Sequence, residues 1–208
     1  MKTYCIKENY SCNLEPTNPM YSEESSLIYQ KSVYEYVKSF IELEEPSSIL
    51  DVGCGLGYKL EKYILPTGIG ITGVDQAETI ELCRKRNQTI HWVEDDIEQP
   101  HADLGSRFNL VISADVIEHL FDPDCLIDYI RKWAAPGAHI VLSTPERDLR
   151  RGPADMGPPA NRSHVREWNE AEFKEYLTEQ RLDIVDYRIV ELREGISTCQ
   201  LARCTVKR

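Results

Sequence analysis

Three side chains able to carry protons or hold a metal ion, Asp115, Glu118 and His119, stand at i, i+3 and i+4 in one short stretch. On a helix over 114–120 that spacing puts them on one face. A second histidine, His164, lies in Ser163-His164-Val165-Arg166-Glu167-Trp168. An imidazole changes charge near neutral pH, so it can take a proton from an attacking hydroxyl. Mixed imidazole and carboxylate ligands also suit several divalent metals. The bland alternatives are a surface histidine at 164 and a purely structural Glu118-His119 pair.

The other chemical signature is Ser48-Ile49-Leu50-Asp51-Val52-Gly53-Cys54-Gly55-Leu56-Gly57-Tyr58. Its short apolar run reads as a buried strand stopped by glycines. Glycines at every second position admit positive φ and close approach to a ligand. A short helix over 58–65, ended before Pro66, would point its first N–H groups into the turn. A dinucleotide fingerprint needs glycines at the first, third and sixth positions. Here the sixth is Tyr58, and Asp51 precedes the run.

The elements that must hold these groups follow in rhythm. Residues 26–43 have helical apolar spacing, closed by Glu44-Glu45-Pro46. Residues 69–75 form a second strand ending in Asp75, 24 residues after Asp51, where nucleotide-binding sheets place an acid on ribose hydroxyls. A helix over 77–86, a strand over 89–93, a strand over 108–113, a helix over 125–134 stopped by Pro136-Gly137, and a strand over 138–143 come next. Residues 169–180 read as a helix capped by Asn169, and 183–192 and 197–207 as β-rich runs. Alternation of this kind implies right-handed βαβ units and a parallel sheet.

Asp-x-Gly-x-Gly-x-Gly after an apolar strand resembles motif I of the class I S-adenosylmethionine-dependent methyltransferases. The resemblance implies a Rossmann-like, doubly wound α/β fold with a mostly parallel seven-stranded sheet and a C-terminal antiparallel hairpin. It also implies S-adenosylmethionine as cofactor. Asp51, Gly53, Cys54, Gly55, Gly57 and Ala114 would then surround its methionine and ribose part, and Asp75 with Gln76 the ribose. Asp96, with Asp95 its rival, and Ile97 would meet the adenine. Asp-x-x-Glu-His with a distant His-x-x-Glu-Trp resembles the small-RNA 3′-terminal 2′-O-methyltransferases, and in part the ubiquinone-pathway O-methyltransferases. There the matching groups hold a divalent cation, which makes Asp115, Glu118, His119 and His164 metal candidates, although Asp115 is shorter than the expected glutamate. A broader likeness is to small methyltransferases associated with bacterial glycan gene products. It rests on Asn18-Pro19-Met20-Tyr21 with 30–34, Ser143-Thr144-Pro145-Glu146-Arg147, and Gly157-Pro158-Pro159-Ala160-Asn161 through Trp168.

Composition narrows the classes. The chain has 208 residues, enough for one domain over 26–208 behind a polar arm at 1–25. A connection as long as 145–168 is more often functional than idle, so it reads as a substrate loop or lid. Seven cysteines with no CxxC pair argue for free thiols in a reducing compartment, by default the cytoplasm. No apolar run long enough for a membrane span occurs. The 24 basic and 35 acidic residues give −11, which makes long nucleic acid a poor partner. The favoured expectation is methyl transfer to a hydroxyl of a sugar or small polar metabolite, with His119, His164 and Glu118 catalytic. The alternatives are metal-assisted 2′-O-methylation of an RNA 3′ end, and a cofactor-binding partner protein without catalysis.

Overall fold

Ser48–Val52 (β1), Gly70–Asp75 (β2), His91–Glu94 (β3) and Phe108–Ala114 (β4) are strands rich in β-branched and aromatic residues. In the computed structural model, which describes residues 2–17 and 22–206, they pair in parallel. Ala134–Pro145 (β5) pairs parallel to β4. Leu182–Val190 (β6) and Cys199–Val206 (β7) add antiparallel strands. The seven-stranded order is β3-β2-β1-β4-β5-β7-β6. β1 and β4 are almost wholly buried, as strands covered on both faces must be. Strand order reverses between β1 and β4, so their carboxyl ends form the crevice where such sheets take ligands. The implied α/β fold with a C-terminal antiparallel hairpin is the one observed.

Several expected elements differ in detail. The helix expected over 26–43 is two helices, Glu23–Ile28 (α1) and Lys31–Glu44 (α2). Gln30 between them is left-handed, with φ 63°, and its N–H donates to the Leu192 carbonyl. Ile28 and Tyr29 are consequently exposed, while Val33, Tyr34, Val37, Phe40 and Ile41 form the buried stripe. The helix expected over 58–65 widens into a π turn at Leu60–Ile64, and Pro66 sits in the first turn of a 3₁₀ helix at Leu65–Thr67 instead of ending the helix. At the start of a turn proline has no intrahelical N–H bond to lose.

Ala77–Arg86 (α3) and Pro123–Trp133 (α4) match expectation to within two residues. Pro136-Gly137 falls inside β5 and does not separate helix from strand. Opposite β4 the partners jump from Phe108↔Ala134 to Leu110↔His139, and this bulge takes Pro136 and Gly137 out of the ladder.

The 145–168 connection holds a short helix, Arg147–Arg151 (α5), and buries Arg147, Val165 and Trp168. The N-terminal arm lies along it: the N–H groups of Ser11, Asn13 and Thr17 donate to the carbonyls of Met156, Val165 and Arg162. Glu170–Glu179 (α6) follows, with the expected Asn169 cap completed as a capping box by Glu172. The block 18–21 lies outside the described residues. Among the described residues no helix is long and apolar enough to cross a membrane, and all seven cysteines are free thiols.

Candidate active site

The glycine turn stands at the carboxyl end of β1. Gly53, Gly55 and Gly57 all have positive φ, at 75°, 55° and 71°. A Cβ on Gly55 would meet nothing within 4 Å, so the space above the turn is open; one on Gly57 would lie 2.3 Å from the Trp92 ring. Replacing Gly57 by alanine combines a forbidden φ with overpacking against a buried ring. Urea unfolding is expected to show a loss of about 2–4 kcal/mol.

Beneath the turn Asp51 is fully buried. Its Oδ2 accepts from the Tyr34 hydroxyl at 2.7 Å, while Oδ1 has no partner among the described residues. Burial pushes its carboxyl up to about 7, against the pull of the Tyr34 bond and the Lys59 charge. Asp75 ends β2, its two oxygens accepting from the N–H groups of Gly55 and Gln76, each at 2.8 Å. Burial raises its carboxyl too, opposed by those bonds.

Cys54 is spent on the fold. Its N–H donates to Val74, its carbonyl accepts from Gly57, and its thiol is buried. Asp95 is likewise occupied: its carboxylate accepts from the N–H groups of Asp96, His101 and Ala102 and from the Tyr129 hydroxyl. Asp96 next to it is exposed, and its Oδ1 accepts from the N–H of Glu98. Ile97 is half-buried, Gln76 exposed, and Ala114 buried at the end of β4.

The expected helix over 114–120 does not form. Asp115 extends the β4 line by one residue, donating its N–H to the Ser143 carbonyl, and then turns left-handed with φ 52°. A 3₁₀ turn follows at Ile117–His119. Asp115 therefore leaves the face it was expected to share. Its Oδ1 accepts from Ser143 Oγ at 2.6 Å, and the Cys199 thiol lies 3.5 Å away.

Glu118, His119 and His164 do come together, offering one ligand atom each within 4.8 Å of one another. His119 Nδ1 lies 2.8 Å from the Ser163 carbonyl, an acceptor only, so Nδ1 carries the hydrogen and Nε2 is left as acceptor. His164 Nδ1 donates to Glu167 Oε1 at 2.6 Å. Its Nε2 lies 2.8 Å from Asn161 Nδ2 and 3.9 Å from Glu118 Oε1. Glu118 is fully buried; Oε2 accepts from Thr144 and Oε1 has no hydrogen-bond partner among the described residues. Burial, with the Asp115 charge adding to it, raises the Glu118 carboxyl well above the usual range. Burial alone would raise Glu167 as well, but the His164 bond and the Arg150 and Arg151 charges hold it low.

Burial, and then the neighbouring His164, lowers His119 to about 4. The unfolded histidine takes up a proton near pH 6.5 and the folded one only near pH 4, so between these values the unfolded state binds more protons. Stability from this group is present above pH 6.5 and is lost as pH falls towards 4. A melting series from pH 7 to 4 should therefore fall less steeply for His119→Gln than for the parent protein.

The sequence matches the family described as "Methyltransferase domain" over residues 29–187. The chain belongs to this family, the class I S-adenosylmethionine-dependent methyltransferases. Among curated relatives it is 30% identical over 107 residues to the ubiquinone biosynthesis O-methyltransferase of Proteus mirabilis, covering 49% of this chain and 43% of that one. It is 32% identical over 108 residues to that of Pectobacterium atrosepticum, covering 49% and 44%. The chain thus spans less than half the length of these relatives. The fold is shared with the glycopeptide N-methyltransferase MtfA at TM-score 0.70 and 15% identity, over 89% of this chain and 100% of that one. It is also shared with the methyltransferase domain of bacterial-CtHen1-C at 0.66 and 18%, over 86% and 99%.

The methyltransferase cofactor, S-adenosylmethionine, fits the residues present. The orphaned Asp51 Oδ1 suits its ammonium, the open space over Gly55 suits its close approach, and Asp75 suits its ribose. Sequence reasoning missed Tyr34 beneath Asp51 and Thr144 on Glu118. Tyr34 was hidden inside an ordinary helical stripe. Thr144 lay in a block noted for its likeness to glycan enzymes, yet only the β4–β5 pairing brings it to Glu118.

Proposed function

We propose that this methyltransferase moves the methyl group of S-adenosylmethionine to a hydroxyl of a sugar or other small polar acceptor. The observation that carries the reading is the convergence of Glu118 Oε1, His119 and His164 beyond the end of β4. The cofactor supplies an electrophilic methyl whose leaving group departs as a neutral thioether. The protein has to align the acceptor and take its proton. As the acceptor oxygen bonds the methyl carbon, the hydroxyl proton passes to an imidazole Nε2. Glu167, on His164 Nδ1, holds that ring's tautomer and stabilises the imidazolium formed. Ser143 and Thr144 bind Asp115 and Glu118, and the 157–168 block supplies His164. Two of the blocks that resemble glycan-associated enzymes, 143–147 and 157–168, thus supply groups around this cluster.

A second reading is favoured by the same cluster: a divalent cation held by Glu118, His119 and His164, as in RNA 3′-terminal 2′-O-methylation. Glu118 Oε1 and His119 Nε2 offer free lone pairs, an ion would displace the Asn161 amide from His164 Nε2, and both histidines have Nδ1 pinned by an outer acceptor, as metal-ligating histidines do. Such an ion would polarise a hydroxyl. Asp115, bound to Ser143, would not join the ligands, and the charge of −11 disfavours RNA.

The test uses methyl-labelled S-adenosylmethionine with a panel of saccharides, amino sugars and short RNAs, with and without chelator. O-methylated saccharide formed in chelator supports the first reading. Label entering only amines, or only RNA 3′ ends in a chelator-sensitive way, overturns it.

A further inference from the structure

Lys59 stands two residues beyond Gly57, where the chain leaves the glycine turn. Its ammonium lies over the Tyr34 ring, 5.4 Å from the centroid, and Tyr34 in turn donates to Asp51. The Lys59 side chain is half-buried, and burial lowers its ammonium while the carboxylates of Asp51 and Asp115 pull the other way. Among the described residues, however, it makes no hydrogen bond or close ion pair. A cation partly withdrawn from water is costly to leave without an acceptor. The neighbouring Asp51 Oδ1 is the opposite case, a buried acceptor with no donor.

The two incomplete groups match the two ends of an α-amino acid. An ammonium facing Asp51 would complete the carboxylate. A carboxylate entering the same crevice would meet repulsion from Asp51 and Asp115 unless a cation received it, and Lys59 is the cation present.

We propose that Lys59 binds the α-carboxylate of S-adenosylmethionine, so that the site selects cofactors and products that carry the amino-acid tail. The proposal rests on the cofactor assignment and goes beyond it in naming the group that reads the tail. Lys59 is not needed for adenine or ribose recognition, which lies at the ends of β2 and β3.

The test is titration calorimetry of the full chain with S-adenosylhomocysteine and with 5′-methylthioadenosine, which lacks the amino-acid tail. In Lys59→Met, S-adenosylhomocysteine is expected to bind roughly 10- to 100-fold more weakly, the scale of removing one buried charge-assisted hydrogen bond. Binding of 5′-methylthioadenosine should be unchanged, which also certifies that the variant is folded. Lys59→Arg should recover part of the loss. The carboxamide of S-adenosylhomocysteine gives the same comparison from the ligand side: it should lose affinity for the parent protein and not for Lys59→Met. Equal losses for both ligands, or no loss for either, would show Lys59 to be only a counter-ion for Asp51 and Asp115 and overturn the proposal. If the parent protein binds neither ligand, the cofactor assignment itself fails.

Discussion

His164→Ala is expected to lower kcat by about 10²- to 10⁴-fold, the range for loss of a positioned general base. The side chain is 4% exposed and fixed from three directions: Glu167 at Nδ1, Asn161 at Nε2 and the edge-to-face His119 ring at 4.8 Å between centroids. Removing it deletes the proposed proton acceptor and leaves Glu167 facing Arg150 and Arg151 without its imidazole partner. Affinity for S-adenosylhomocysteine should be unaffected, because the groups proposed to hold the cofactor lie on β1, β2 and the glycine turn. Single-turnover methyl transfer with calorimetry on the same variant separates the two effects. A folded His164→Ala protein with parental kcat would remove His164 from the chemistry. Glu167→Gln should produce a smaller loss and shift the acid limb of the pH–rate profile, since it acts through His164 and does not touch the acceptor.

Arg147→Met is expected to be the most damaging single change to stability. Arg147 is fully buried and donates twice to the Glu172 carboxylate, at 2.7 and 2.9 Å. It also donates to Asp148 at 3.0 Å and to the Glu167 carbonyl at 3.2 Å. Removing one partner of a buried ion pair costs about 3–5 kcal/mol because the other charge is stranded. In a chain of this size each kcal/mol moves Tm by roughly 2–4 °C, so the melting point should fall by about 6–20 °C. Arg147→Met with Glu172→Met should recover most of this, since the more buried carboxylate is then gone, while Asp148 is partly exposed and keeps its bond from the Asn169 amide. A deficit of about 1 kcal/mol should persist, because Glu172 also completes the capping box at Asn169. If the single variant melts within a degree or two of the parent, water or a neighbouring cation reaches Glu172 and the buried pair is not what anchors α5 to α6.

The prospective site was readable in unequal parts, and the reason is how far each group's partners lie along the chain. The strand–glycine-turn–helix unit, Asp51 and Asp75 are local or nearly so. Apolar runs, glycine spacing and an acid closing the next strand are written in consecutive residues, and the parallel α/β fold follows from their rhythm. Asp115 shows the limit. Its spacing to Glu118 and His119 is helical, but Ser143, 28 residues away, captures its N–H and its carboxylate and pulls it out of the cluster. Asp95 likewise stood as a rival to Asp96, and only the tertiary structure shows Tyr129 and two loop N–H groups occupying its oxygens.

By itself the sequence determined the order of strands and helices, the glycine cradle, the acids at the ends of β1 and β2, and an acidic surface with little appeal to a polyanion. Those properties depend on neighbours within a turn or on sums over the chain. Only the tertiary structure decided that His164 joins Glu118 and His119 while Asp115 does not. It also decided that Tyr34 braces Asp51 and that, among the described residues, the Lys59 ammonium makes no hydrogen bond or ion pair. Each depends on residues from separate elements packed around one crevice, where burial removes water as the alternative partner and makes every unmatched charge consequential.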